Sequence, residues 1–216
     1  MTTPRPAVSV VMPTYGQATF LPRAVASLRR QTRTDWELVI VDDGSLDATP
    51  QTIAGLAADE RIVHVRLATN HGLGTACNVG LDVARAPLIA YLPSDDVIDA
   101  EHLSTLAACF DDPDVFLAWS PARGAPTDGL QLVQVMHRAG TDRWTERDEL
   151  ESDDLDRLFW HRLRGRGRTI STGRVTCEWV RHPRSASPCV ARDARRRPEH
   201  LPPPVPHRHT TAVGVP

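Results

Sequence analysis

Two pairs of adjacent carboxylates stand out, each placed directly behind an apolar run. Leu88-Ile89-Ala90-Tyr91-Leu92 is a short buried-strand pattern, broken by Pro93 and closed by Ser94-Asp95-Asp96. Upstream, Leu38-Val39-Ile40-Val41 runs into Asp42-Asp43-Gly44-Ser45. Ligands of open α/β sheets bind in the crevice outside the carboxyl ends of the strands. Acids collected there are suited to holding a divalent cation on a diphosphate, because Mg²⁺ is usually bound through one or two carboxylates and phosphate oxygens. A third strand pattern, Ala7-Val8-Ser9-Val10-Val11-Met12, ends at Pro13-Thr14-Tyr15-Gly16 and exposes Tyr15 at its turn. Tyr15 would stack on a nucleobase whose ring N–H is offered to a carboxylate, while a cation on the other acids offsets charge growing on a leaving diphosphate.

The elements that must position these groups follow from periodicity. Thr19 to Gln31 puts Phe20, Leu21, Ala24, Val25 and Leu28 on one helical face, with Arg29 and Arg30 in the last turn. Thr49-Pro50 reads as an N-cap followed by Pro at the first helical position, opening a helix through Ile53, Leu56 and Ala57. Arg61 to Leu67 alternates as a half-buried strand, and Asn70-His71-Gly72-Leu73-Gly74 turns into a helix carrying Ala76, Val79, Leu81 and Val83. The small residues Gly74, Ala76 and Gly80 let that helix come close to a ligand or, more readily, to the sheet. A helix over Glu101 to Phe110, a strand over Val115 to Trp119, a further strand over Leu130 to Met136 and an amphipathic helix over Glu149 to Leu163 complete the pattern. Regular alternation of strand and helix predicts an α/β, Rossmann-like, mostly parallel sheet with helices on both faces. Thr172 to Val180 is expected to be the last ordered piece.

Bulk composition narrows the classes. A chain of 216 residues that is 41% hydrophobic supports one domain with a packed core. A net charge of −2 gives no reason to expect a nucleic-acid partner. All 25 basic residues are Arg, which argues against a phosphoacceptor receiver domain, since its usual Lys partner is missing. The four cysteines, Cys77, Cys109, Cys177 and Cys189, lack zinc-site spacing and read as free thiols. No run approaches the roughly 20 apolar residues that span a bilayer, and the N-terminal residues lack a signal-peptide core, so the expected location is cytoplasmic, with peripheral membrane contact left open. A P-loop and a Gly-x-Gly-x-x-Gly after the first strand are both absent, which disfavours ATPases and dinucleotide oxidoreductases. From Pro183 to Pro216 the chain holds 8 of its 18 prolines together with Arg195-Arg196-Arg197. That composition predicts a domain over 1–182 and a disordered tail over 183–216. An excess of Arg, Pro and His is also what a shifted reading frame in a GC-rich gene yields.

Val8-Ser9-Val10-Val11-Met12-Pro13-Thr14-Tyr15, Val39-Ile40-Val41-Asp42-Asp43-Gly44-Ser45, Asn70-x-Gly72 through Asn78-x-Gly80, and Ser94-Asp95-Asp96 together resemble the inverting glycosyltransferases of family two, which have the GT-A fold, with the carboxyl terminus truncated or altered. The resemblance implies a nucleotide-sugar donor, most often UDP-linked, a hydroxyl acceptor of unknown identity and a Mg²⁺ or Mn²⁺ ion. By motif it implies that Pro13, Tyr15 and Asp43 contact the base, Asp95 the ribose and Asp96 the metal. The family's later acidic motif resembles Ser152-Asp153-Asp154-Leu155-Asp156, which would make Asp154 the catalytic base, with Asp153 as the alternative. Helix N-capping accounts for the same two residues equally well. Two departures are present: Cys77 stands where many relatives have Arg, and the proline-rich tail replaces elements that usually cover the acceptor. The competing function is a nucleotide-sugar-binding domain or fragment without turnover.

Overall fold

A computed structural model of the chain describes residues 5–56, 58–126, 129–146 and 155–180. In chain order the elements are β1 (Val8–Thr14), α1 (Leu21–Arg29), β2 (Trp36–Asp42), α2 (Thr49–Ala54), β3 (Ile62–Arg66), α3 (Leu73–Val83), β4 (Leu88–Tyr91), β5 (Val97–Ile98), α4 (His102–Ala107), β6 (Val115–Trp119), β7 (Ala122–Arg123), β8 (Val135–Arg138), α5 (Leu155–Arg164), β9 (Arg168–Ser171) and β10 (Cys177–Glu178). Seven strands form one sheet in the order β3-β2-β1-β4-β8-β6-β9. β8 pairs antiparallel with both neighbours, while every other pairing in the sheet is parallel. A second sheet of three short strands has the order β5-β10-β7.

β1 and β2 are buried along their whole length, as central parallel strands covered on both faces must be. Alternation along β1 sorts the two faces. Val8, Val10 and Met12 pack with Leu21, Ala24, Val25 and Leu28 of α1, Ile53 of α2 and Leu103 and Leu106 of α4. Val11 packs on the other face with Cys77 of α3 and with Phe159, Trp160 and Leu163 of α5. Each fully buried large side chain contributes on the order of 1.5–3 kcal/mol relative to exposure. Helices on both faces of a mostly parallel sheet are what the alternating pattern predicted.

Three local expectations need correction. α2 begins at Thr49 with Ala48 as its N-cap. The Thr49 hydroxyl instead accepts the Gln17 N–H at 3.0 Å, and the Thr49 N–H goes to Asp47 Oδ1 at 3.0 Å. That helix is also shorter than expected and is capped at Gly55. The expected strand over Leu130 to Met136 is a 3₁₀ turn over Leu132–Gln134 followed by β8, because Gln131 and Gln134 close a capping box around the turn. The proline-rich stretch from Pro183 onward, and with it the domain boundary expected at 182, lies outside the described residues.

Candidate active site

Register fixes which strand ends meet. Thr14 at the end of β1 pairs with Asp42 at the end of β2. On the other side β1 pairs with β4, Val11 opposite Tyr91, and the Leu92 N–H continues the ladder to the Val11 carbonyl. The ends of β2, β1 and β4 therefore lie side by side on one rim, and both acidic pairs leave from it.

At the β2 end the chain is fastened to its neighbours by main-chain amides. Asp42 Oδ1 accepts the Ser45 N–H at 2.9 Å, Ser45 Oγ accepts the Gly16 N–H at 3.0 Å, and Arg66 Nη2 donates to the Ser45 carbonyl at 3.0 Å. Arg66 Nε also lies 3.5 Å from Asp42 Oδ2, a charge pairing without hydrogen-bond alignment. The Asp43 N–H donates to the Thr14 carbonyl at 2.9 Å. Asp43 itself is 4% exposed, and its two carboxylate oxygens accept the His71 and Gly72 N–H groups, each at 2.8 Å. A carboxylate thus receives the two amides that open α3. Gly44 makes the approach possible: at φ +74° a Cβ would lie 2.5 Å from the Thr69 carbonyl carbon. Tyr15 is 47% exposed at the same rim, directly after the buried Pro13 and Thr14.

The β4 end is built differently. A turn closed by the Asp96 N–H on the Pro93 carbonyl at 3.1 Å folds Asp96 inward to 2% exposure. Asp95 stays half-buried, and its carbonyl accepts Arg23 Nη2 from α1 at 3.0 Å. β10 runs antiparallel to β5, with Cys177 opposite Ile98 and Glu178 opposite Val97. That pairing carries the chain over Asp96, whose Oδ1 accepts the Val180 N–H at 2.8 Å. Burial pushes the Asp96 carboxyl up to about 8, against the lowering effect of the Val180 amide, with further raising from the Asp95 charge. Among the described residues no Arg or His side chain forms an ion pair with it. A buried carboxylate in that condition gains from a cation brought alongside. Among the described residues no three His, Cys, Asp or Glu side chains converge as a metal site. Asp96 fits a cation whose remaining oxygens come from phosphate, the usual manner of Mg²⁺ binding at such sites.

The residues predicted for the donor side, Pro13, Tyr15, Asp43, Asp95 and Asp96, are thus gathered on one rim. Asp153 and Asp154 lie outside the described residues, which resume at Leu155 in α5. Three features of the site were missed at the level of sequence: Arg23 against Asp95, the Val180 amide on Asp96, and the Asn78 side chain, which bonds Trp144 and Glu146. None has a local signal, since each joins segments more than 60 residues apart.

Comparison with known proteins gives the chain a family and a fold. A putative glycosyltransferase, EpsH, of Bacillus subtilis is 37% identical over 97 residues, covering 45% of this chain and 28% of the relative. A PGL/p-HBAD biosynthesis glycosyltransferase of Mycobacterium bovis is 33% identical over 161 residues, covering 73% of this chain and 56% of the relative. The chain therefore spans a quarter to somewhat over half of the length of these relatives. In fold it is similar to S. aureus TarS 1-349 in complex with UDP-GlcNAc, with a TM-score of 0.71 at 22% identity over 85% of this chain and 61% of that one. It is also similar to the mannosyltransferase PcManGT of Pyrobaculum calidifontis in complex with GDP-Man and Mn²⁺, with a TM-score of 0.70 at 19% identity over 82% and 57%. Both likenesses place the fold among GT-A proteins. Residues 9–171 match the family described as Glycosyl transferase family 2, and with three quarters of its length inside that match the chain belongs to this family of glycosyltransferases.

Proposed function

We propose that the chain transfers a hexose-type sugar from a nucleotide-diphosphate donor, foremost a UDP-sugar, to an acceptor hydroxyl, with inversion at the anomeric carbon and dependence on Mg²⁺ or Mn²⁺. The observation that carries the reading is the shared rim: Asp43 and Asp96 leave strands that flank β1 on either side and end at one edge of the sheet. Tyr15 offers an exposed ring on which the base stacks. Asp43, pinned by two amides, is a fixed acceptor for a ring N–H, with Pro13 walling the base side. Asp95 takes the ribose hydroxyls, and Asp96 would hold the cation. When bound, that cation supplies charge stabilisation for the departing diphosphate. The neighbours in complex with UDP-GlcNAc and with GDP-Man and Mn²⁺ support this choice of ligand class.

In the reaction the acceptor oxygen attacks the anomeric carbon from the face opposite the diphosphate. The new C–O bond forms as the bond to the diphosphate oxygen breaks, and the hydroxyl proton passes to a carboxylate. Asp154 is assigned that base role, with Asp153 as its alternative. A single displacement inverts the centre. A cytoplasmic setting, with peripheral membrane contact where the acceptor is lipid-borne, goes with this reading. Among the described residues no helix is long and apolar enough to cross a membrane.

A second reading, a nucleotide-sugar-binding domain without turnover, is favoured by one observation, the Val180 amide seated on Asp96. Turnover of a nucleotide-sugar panel with Mn²⁺ separates the two. Asp154→Ala is expected to lower kcat about 10²–10⁴-fold, the usual worth of a general base, while nucleotide affinity is unchanged. Donor binding by the wild-type chain with no turnover at any acceptor would establish the second reading.

A further inference from the structure

Helix α1 is tied to both acidic strand ends. The loop that enters it is held at the β2 end, where the Gly16 N–H donates to Ser45 Oγ and the Gln17 N–H to Thr49 Oγ1, each at 3.0 Å. Arg23, Ser27 and Gln31 recur at intervals of four along α1 and the turn that follows it, a spacing that sets them one above another on a single side. Ser27 Oγ accepts the Ile98 N–H at 3.3 Å. Gln31 Nε2 donates to the Asp99 carbonyl at 2.6 Å, and its Oε1 accepts the Leu103 N–H at 2.9 Å. Both side chains are buried. They fasten α1 to the segment after β4 without any help from Arg23.

Arg23, at the rim end of this stripe, is of a different kind. It is exposed, and its Nη2 donates to a main-chain carbonyl, that of Asp95, at 3.0 Å. Other guanidinia nearby are already paired: Arg123 with Asp99, Arg174 with Glu101, and Arg29 at the far end of α1 with Asp59. Among the described residues the Arg23 side chain has its one bond to Asp95 and no carboxylate partner, which leaves most of its N–H donors for a ligand. Burial dominates the titration of Asp96 and the Arg23 charge acts against it, which places the guanidinium within electrostatic reach of that carboxylate. A cation in the first turn of a helix also opposes the helix dipole, and such local rules are broken chiefly where function requires it. Across the rim, α3 has no basic residue from Leu73 to Val83.

We infer that Arg23 binds the diphosphate of the donor, as a second positive charge beside the cation on Asp96. The inference rests on the proposed function. A divalent cation offsets the diphosphate of an intact donor. When the bond to the anomeric carbon breaks, its electron pair stays on the diphosphate oxygen, and Asp95 and Asp96 add charges of their own. A guanidinium reaching in from α1 takes up that surplus, as Arg clamps do on transferring phosphoryl groups.

A ligand series tests it. Titration of UDP, GDP and ADP into the wild-type chain selects the diphosphate that it binds, and the matching monophosphate and nucleoside complete the series. Each is then titrated into Arg23→Gln and Arg23→Lys, with Mn²⁺ and with chelator. For Arg23→Gln the diphosphate is expected to bind about tenfold more weakly, by a similar factor in chelator, while the nucleoside stays within twofold of wild type. Arg23→Lys keeps the charge and loses the planar fork, so its loss should be smaller, about threefold. A diphosphate loss below fivefold in Arg23→Gln overturns the inference alone. So does an equal loss for the nucleoside or a failure of both variants to fold, either of which marks a structural tie to the turn after β4. A loss seen only with Mn²⁺ also overturns it, since Arg23 would then act through Asp96 rather than on the phosphates. A wild-type chain that binds none of the three diphosphates overturns the functional reading together with the inference.

Discussion

Two strand ends on one rim carry the same signature, adjacent aspartates behind an apolar run, and the fold treats them in opposite ways. Behind β2, Asp43 receives an N–H on each oxygen and Asp42 a further one from Ser45. Behind β4, Asp96 is equally buried yet accepts the Val180 N–H on one oxygen, and its carboxyl is pushed up to about 8 by burial. Amides make the first carboxylate a rigid hydrogen-bond acceptor that also anchors α3. Burial with little compensation makes the second a destabilising charge, relieved by a proton or a cation. Under the proposed function this group stands where the diphosphate binds, and the fold there trades stability for ligand binding.

Substituting the two residues should separate these roles. The largest effect is expected from Asp96→Asn, which should lower Mn²⁺-dependent turnover about 10²–10³-fold, the worth of one preorganised electrostatic partner, while raising the melting temperature of the unliganded protein at pH 8. Asp43→Ala should move stability in the other direction. It leaves two partly buried N–H groups without their acceptor, at a cost on the order of 1–3 kcal/mol in urea denaturation, and weakens nucleotide binding. If both substitutions destabilise alike, the contrast between the strand ends fails.

The pH dependence sharpens the same contrast. The folded-state value for Asp96 lies above its ordinary 3.8, so the folded chain holds that proton where the unfolded chain has lost it. Its contribution to stability is therefore complete below about 3.8 and is lost as pH rises toward 8. The advantage of Asp96→Asn in melting temperature should accordingly be greatest at pH 8 and above, and vanish toward pH 4. Mn²⁺ affinity should rise by about tenfold per pH unit and level off near 8, a profile measurable by titration. The smallest effect is expected from Tyr15→Ala: loss of a stacking partner worth about 0.5–1.5 kcal/mol should weaken nucleotide binding roughly threefold to tenfold and leave its Mn²⁺ dependence intact.

The half of the fold that builds the donor rim was legible because its signals are local. β1, β2 and β4 are apolar runs ended by turn residues, and α1 and α3 carry helical stripes, so their existence and order follow from spacing alone. Later elements were harder to read. β9, Arg168–Ser171, is polar at three of its four positions, and β5, β7 and β10 are two residues each, too short for any period to show. They exist because partners from distant parts of the chain pair with them, as Cys177 does with Ile98. The site divides in the same way. Tyr15, Asp43 and Asp96 sit in recognisable motifs, whereas the amide on Asp96 comes from Val180 and the grip on Trp144 from Asn78. Small residues in α3 suggested close approach to the sheet. Gly80 meets that expectation against Val11, and Gly74 serves a loop instead.

The most direct test is calorimetric titration of UDP into the wild-type chain and Asp96→Asn, each with Mn²⁺ and with chelator, at pH 8. The proposed function predicts that chelation weakens wild-type binding at least tenfold and leaves the variant unaffected, the variant in Mn²⁺ matching the wild type in chelator. Equal wild-type affinity with and without the cation, or an Asp96→Asn chain that keeps the full response to Mn²⁺, would contradict it.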